Sequence, residues 1–203
     1  GPGSRPDATD AERRYFASLD GRVPLQDGEP APVPTPYANA ASAASAVKAL
    51  AAELGADLVG ITPVDPHYVY EGHDQAAQGN AIVIAVAMDL DEILQVPRPE
   101  SNAEYIRVYD DVSRIAVDVA SHIRERGYAA RAHTLRDEHL AMLPHAHAAG
   151  LGELGKHGSL INRDRGSSFR VSIVTTALPL ASDSPRIEGI DDFCTNGQMC
   201  VNH

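Results

Sequence analysis

Cysteine is nearly absent. Of 203 residues only Cys194 and Cys200 carry a thiol, both within the last ten positions. Two late cysteines cannot staple the body of a fold, so a disulfide framework is excluded. Basic residues are also scarce: 17 Lys and Arg face 28 Asp and Glu, a formal charge of −11, and the longest cationic run is the pair Arg13–Arg14. A nucleic-acid binder needs a concentrated cationic face, so direct nucleic-acid binding is not expected. No apolar run reaches the roughly 20 residues of a membrane span. The twin arginines lead into SLDGRVPLQDGEPAP rather than the apolar segment of an export signal, and the chain reads as cytoplasmic. No internal repeat is present.

What remains is a chain long enough for one domain with extensions. Residues 1–4, GPGS, look like the scar of a cleaved tag and are set aside. Residues 5–39 hold six prolines and few apolar side chains, and read as an extended N-terminal arm. Ala40–Leu54 is rich in Ala, Leu and Val and stops at Gly55, which predicts a helix. DLVGIT (57–62) reads as a strand ended by Pro63. AIVIAVAM (81–88) is a continuous apolar run, the pattern of a strand buried on both faces. From Ser101 or Asn102 to Gly127, apolar residues recur at spacings of three and four, giving a long helix with one buried stripe. Tyr128–Thr134 and Phe169–Leu178 read as strands. Asp137–Ala149 reads as a helix that Pro144 must interrupt. Helices alternating with short strands predict a layered α/β or α+β domain with a central sheet flanked by helices.

The densest signal is AGLGELGKHGSLI (149–161), where four glycines alternate with Leu, Glu, Lys and His. Glycine permits positive φ and close backbone approach, so the segment suggests backbone wrapped around a ligand. GELGKHG lacks the spacing of a phosphate-binding P-loop. Gly150, Gly152 and Gly155 match a dinucleotide G-x-G-x-x-G formally, but that motif follows a strand and this one follows a helix. The nine histidines show no HExxH spacing and read as solvated or packed. Tyr105 and Tyr109 read as core residues on the long helix, while Tyr68 and Tyr70 stay open. FCTNGQMC places Cys194 and Cys200 at the first and third positions of a ferredoxin run, C-x2-C-x2-C-x3-C-P. Gly197 stands at the second position, and the fourth would follow His203.

Taken together, VKALAAELGADLVGIT (47–62), AIVIAVAMD (81–89), IAVDVASHIRERGYAARAH (115–133), PHAHAAGLGELGKHGSLIN (144–162), GSSFRVSIVTTALPLASDSP (166–185) and FCTNGQMC (193–200) resemble the cobalamin-dependent reductive dehalogenases and their relatives, the epoxyqueuosine reductases. The glycine block carries the resemblance most specifically. It implies a nitroreductase-like cobalamin-binding core over residues 40–185. It also implies the start of a truncated ferredoxin-like iron–sulfur segment over 186–203. It places Gly152, Gly155, Lys156, His157, Gly158, Ser159 and Leu160 at the corrinoid. Cys194 and Cys200 become iron–sulfur ligands only if the motif is completed downstream. The cofactor would carry the reductive cleavage of a carbon–halogen bond, and the protein would position a small organohalide and a proton donor. An electron-donor protein or domain would supply the electrons, so residues 1–203 alone are expected not to turn over.

Dehalogenases of this kind use a tyrosine proton donor and epoxyqueuosine enzymes an aspartate. The expected position falls near Thr134–Asp137, which holds no tyrosine; Asp137 is a possible substitute and no donor is assigned. Gly197 and the missing tyrosine leave room for a cobalamin carrier or sensor without catalysis. An epoxyqueuosine-reductase-like enzyme and a flavin-binding reductase on the same fold are further alternatives.

Overall fold

Strand propensity and the alternation of side chains set the centre of this protein. The computed structural model describes residues 8–77 and 79–198, which leaves Gly1–Ser4 and Cys200 outside. In chain order the main elements are α1 (Asp10–Arg22), α2 (Ala40–Glu53), β1 (Leu58–Pro63), β2 (Asn80–Ala87), α3 (Leu90–Ile93) and α4 (Pro99–Glu125). They continue with β3 (Ala130–His133), α5 (Met142–Ala148), β4 (Glu153–Leu154), β5 (Leu160–Ile161), β6 (Phe169–Thr176) and α6 (Ile190–Gly197). Four strands form one sheet in the order β1-β2-β6-β3, every neighbour antiparallel. β4 and β5 make a separate small hairpin.

The apolar run of β2 is buried on both faces, as its composition requires. Ile82, Ile84 and Val86 point into a core shared with Val47 and Ala51 of α2 and Val112, Ile115 and Val119 of α4. Ala81, Val83 and Ala85 point the other way, under Ala146 and Ala149 and the hairpin residue Leu160. Such double burial is commonest in parallel sheets. Here helices cover one face, and α5 with the hairpin covers the other, so an antiparallel α+β sheet meets the same demand. No helix among the described residues is long and apolar enough to cross a membrane.

Three expectations change. Residues 10–22 are not extended: Thr9 and Glu12 form a reciprocal capping box that starts α1. The helix then lays buried Leu19 and an Arg22–Asp110 ion pair against α4. After a single 3-10 turn at Val23–Leu25, the rest of the proline-rich stretch has no regular structure but is strapped to the end of α4. Ala31 N–H donates to Arg124 O at 2.8 Å and Thr35 N–H to Arg126 O at 2.9 Å. Secondly, α4 begins two residues earlier than Ser101, with Pro99 at a first-turn position that suits its fixed φ. Thirdly, the helix expected from Asp137 is only Met142–Ala148, with Pro144 in its first turn, where the missing N–H costs little. Residues 134–137 form a tight turn instead, closed by Asp137 N–H to Thr134 O at 3.1 Å.

Candidate active site

α5 delivers the chain to the glycine segment through a Schellman ending. Leu151 N–H bonds Ala146 O at 3.0 Å, Gly150 N–H bonds His147 O at 2.9 Å, and Gly150 takes φ +76°. Gly152 then passes so close to the returning strand that a Cβ there would lie 2.4 Å from Ile161 O. Beneath the segment, a Cβ on Gly60 of β1 would meet Ala149 O at 2.3 Å. Gly150, Gly152 and Gly60 therefore serve contacts inside the protein. The hairpin turns through Gly158 at φ +87°, where a Cβ would meet nothing within 4 Å. Lys156, His157 and Gly158 are exposed at this tip, Gly155 is buried, and Ser159 and Leu160 lead back towards the sheet.

Ser159 and Leu160 reach a cavity of about 340 Å³ that Tyr70, Tyr109, Glu138, Phe169 and Arg170 also line. Each arrives from a different element. Tyr109 stands on α4, half-buried beside the main core and edge-on to Tyr105 at 5.0 Å between ring centres. Arg170 stands at the start of β6, its guanidinium 4.6 Å from the Tyr105 ring centre and 5.5 Å from that of Tyr109. Arg170 has no carboxylate partner among the described residues, and its buried Nε has no acceptor. Glu138 follows the 134–137 turn. Its neighbours 139–141 pair with 68–70: Tyr70 N–H donates to His139 O at 2.9 Å and Ala141 N–H to Tyr68 O at 2.8 Å. That pairing brings Tyr70 and Glu138 to one wall.

Burial pushes the Tyr109 hydroxyl up to about 12, with Tyr105 adding to the rise and the Arg170 charge opposing it. Burial likewise raises the Glu138 carboxyl. The Tyr70 hydroxyl is raised first by burial and then by the charge of Glu138.

Below this wall two histidines are packed without metal-ligand company. His133 Nδ1 accepts from His139 N–H at 3.2 Å, so Nε2 carries the proton and faces Thr175 Oγ1 at 2.9 Å. Burial, followed by the charge of Arg131, holds His133 down at about 3. His145 Nε2 accepts from Asp65 N–H at 3.1 Å, which directs Nδ1–H to Ala141 O at 2.8 Å. Among the described residues no group of three or more His, Cys, Asp or Glu side chains converges as a metal site.

The sequence-derived residues thus divide. Ser159 and Leu160 line the cavity. Lys156 reaches α6, donating to Thr195 Oγ1 at 2.5 Å. Glu153 also clamps α6, accepting from Glu188 N–H at 2.8 Å and Ile190 N–H at 3.1 Å, which holds its carboxyl below the usual range. Cys194 is a free, half-buried thiol on α6 and Gly197 closes that helix. Asp137 does not line the cavity; it pairs with Arg131 at 2.5 Å. Tyr109 belongs to the cavity rather than to the fully buried stripe. Its signal was position: it sits at the margin of the apolar periodicity, four residues after another tyrosine.

An antiparallel α+β core with a glycine hairpin forming one wall of a tyrosine- and arginine-lined cavity is the class of protein these features define. No protein-family model matches the chain. The tetrachloroethene reductive dehalogenase of Dehalobacter restrictus is 34% identical over 123 residues, covering 61% of this chain and 22% of that protein. A solved catabolic reductive dehalogenase superimposes with a TM-score of 0.79 at 29% identity, covering 89% of this chain and 28% of that one. It has also been solved with 3-bromo-4-hydroxybenzoic acid. A reductive dehalogenase structure described in terms of B12-dependent dehalogenation gives 0.78 at 27% identity, over 91% of this chain and 30% of that one. The epoxyqueuosine reductase of Streptococcus thermophilus gives 0.55 at 17% identity over 78% of this chain and 51% of that one, a likeness of fold alone. The chain is related in sequence and fold to the reductive dehalogenases, and it spans about a fifth of the curated relative's length.

Proposed function

We propose that this chain forms the cobalamin-binding, substrate-facing part of a reductive-dehalogenase-like oxidoreductase. The observation that carries the reading is the cavity that joins Ser159 and Leu160 of the glycine hairpin to Tyr109 and Arg170. The residues suit a broad, flat ligand. The hairpin tip is exposed, Gly158 leaves open space where a side chain would stand, and Ser159 and Leu160 continue that edge into the cavity. Gly158, Ser159 and Leu160 would hold the corrinoid, with Lys156 and His157 at its rim and Gly152 and Gly155 shaping the hairpin. When bound and reduced, cobalamin supplies the electrons that break a carbon–halogen bond.

The net change takes two electrons and one proton, R–X becoming R–H and halide. In this reading the proton rests on Tyr109 Oη, which burial keeps protonated at neutral pH. Arg170, over the same ring, stabilises the tyrosinate left behind. Leu135, Met142, Leu160 and Phe169 supply the apolar part of the wall that excludes water. The electrons come from an iron–sulfur donor, to which Cys194 and Cys200 would contribute ligands if their motif is completed downstream.

Incubating the chain with cobalamin, desalting it and recording the visible spectrum tests the reading. Retention of a corrinoid spectrum, lost when Gly158→Val fills the open position, is expected. A chain that emerges colourless overturns it. A carrier or sensor without catalysis rested partly on a missing tyrosine, and Tyr109 in the cavity wall weighs against it.

A further inference from the structure

A second cavity meets the first at Arg170. It measures about 510 Å³, and Met88, Ile93, Asn102, Tyr105 and Arg170 line it. Its rim is open to solvent: Val96 is 68% exposed, and Pro97, Arg98 and Pro99 beside it are exposed too. Arg170 borders both cavities, whereas Tyr109 lines the inner one and Tyr105 the outer. The two tyrosines stand one helical turn apart on α4, their rings edge-on at 5.0 Å between centres. The Arg170 guanidinium lies against both rings, 4.6 Å from the Tyr105 centre and 5.5 Å from that of Tyr109. Tyr105 acts on the Tyr109 hydroxyl through its charge and through hydrogen bonding, and both raise it.

We infer that Tyr105 is a proton-relay residue, carrying protons from solvent in the outer cavity to the Tyr109 hydroxyl. The inference rests on the reading of Tyr109 as proton source and gives that source a means of recharging. On that reading a corrinoid and an organohalide occupy the inner cavity. Its Leu135, Met142, Phe169 and Val171 side chains exclude water, so a spent tyrosinate there has no direct supply. The Tyr105 O–H bond breaks as the Tyr109 O–H bond forms. Tyr105 then takes a proton from a water or buffer acid in the outer cavity. One solvent proton enters per turnover, matching the single proton that R–X and two electrons need to give R–H and halide. The negative charge travels the opposite way, from the Tyr109 ring to the Tyr105 ring, and stays beside the Arg170 guanidinium throughout. Burial makes the Tyr109 anion a strong base, which favours the first transfer.

The test follows the hydroxyl proton itself, without turnover. The 203-residue chain, carrying the NMR-active carbon isotope at tyrosine Cζ, is loaded with hydroxocobalamin in an equal mixture of light and heavy water. A slowly exchanging hydroxyl gives separate O–H and O–D carbon signals, and a rapidly exchanging one gives a single averaged signal. Tyr109→Phe identifies the resonance. In the loaded wild type the Tyr109 hydroxyl should exchange rapidly. In Tyr105→Phe, which keeps the ring beside Arg170, it should exchange about 100-fold more slowly. Imidazole should restore rapid exchange in Tyr105→Ala, whose shortened side chain opens the way from the outer cavity; no rescue assigns the slowing to altered packing and overturns the inference. Equal exchange in wild type and Tyr105→Phe, slow exchange already in the wild type, or slowing in Glu138→Gln instead also overturns it and leaves the corrinoid reading standing. A chain that retains no hydroxocobalamin overturns both.

Discussion

The two faces of the central sheet are built to different rules. Towards α2 and α4, the sheet meets Val47, Ala51, Val112, Ile115, Val119 and Ile123, a continuous apolar layer. Towards α5 and the hairpin, the apolar cluster is smaller and shares its space with buried His133, Thr134, His145 and Asn162. The cavity takes walls from both sides: Leu160, Phe169 and Val171 from this second region, Tyr109 of α4 and Arg170, opposite Val86, from the helical one. One face obtains stability from close packing, whereas the other holds polar groups that must each be satisfied by a specific partner. The alternate side chains of β2 serve each face in turn.

Acid should separate the faces most strongly. His133 is held near 3 when folded against about 6.5 when unfolded, so the unfolded chain binds the extra proton between those values. Its contribution is complete above pH 6.5 and is lost as pH falls towards 3, on the order of 5 kcal/mol. Urea unfolding between pH 7 and 4 should show about two thirds of this loss, and His133→Gln should flatten it. An unchanged acid limb in that variant would remove His133 as its cause. On the helical face, Ile84→Ala should cost about 4 kcal/mol through the cavity it leaves. Corrinoid retention by the molecules that remain folded should be unaltered.

Gly60→Ala tests the opposite face by addition instead of deletion. The new methyl would stand 2.3 Å from Ala149 O and 2.5 Å from Leu151 Cδ1, forcing the start of the glycine segment off the sheet. A loss of about 2 kcal/mol is expected, accompanied, unlike Ile84→Ala, by weaker corrinoid retention. The smallest effect on stability belongs to Tyr109→Phe, within roughly 1 kcal/mol, since the hydroxyl and not the ring is removed. Assayed within the full-length protein, the same variant should lower turnover about 100-fold. Wild-type turnover would dismiss Tyr109 as the proton source.

Legibility in the sequence followed the same division. β2, α2, α4 and β6 were readable because burial imposes a period on many residues at once. Thr9 and Glu12 spelled a capping box too, but the prolines beyond it drew the reading towards an extended arm. The glycine block was readable as a segment, though its glycines resolve into contacts within the protein at Gly150 and Gly152 and open space at Gly158. Tyr109, Glu138 and Arg170 were not readable as a set. They lie on a helix, a turn and a strand, 61 positions apart from first to last, and only the tertiary pairing of 68–70 with 139–141 and the start of β6 bring them together. Periodicity speaks for the face that packs; it is silent about single residues converging on a cavity.

The clamp at Glu153 has a mechanical consequence. Its carboxylate grips the first backbone amides of α6, while across the hairpin Glu153 pairs with Ile161 and Leu154 with Leu160. Lys156 ties the tip of the same hairpin to Thr195, one residue from Cys194. α6 is thus the handle of a short lever whose far end is a wall of the cavity. A body docking on α6 would exert its force, through two strands, on that wall.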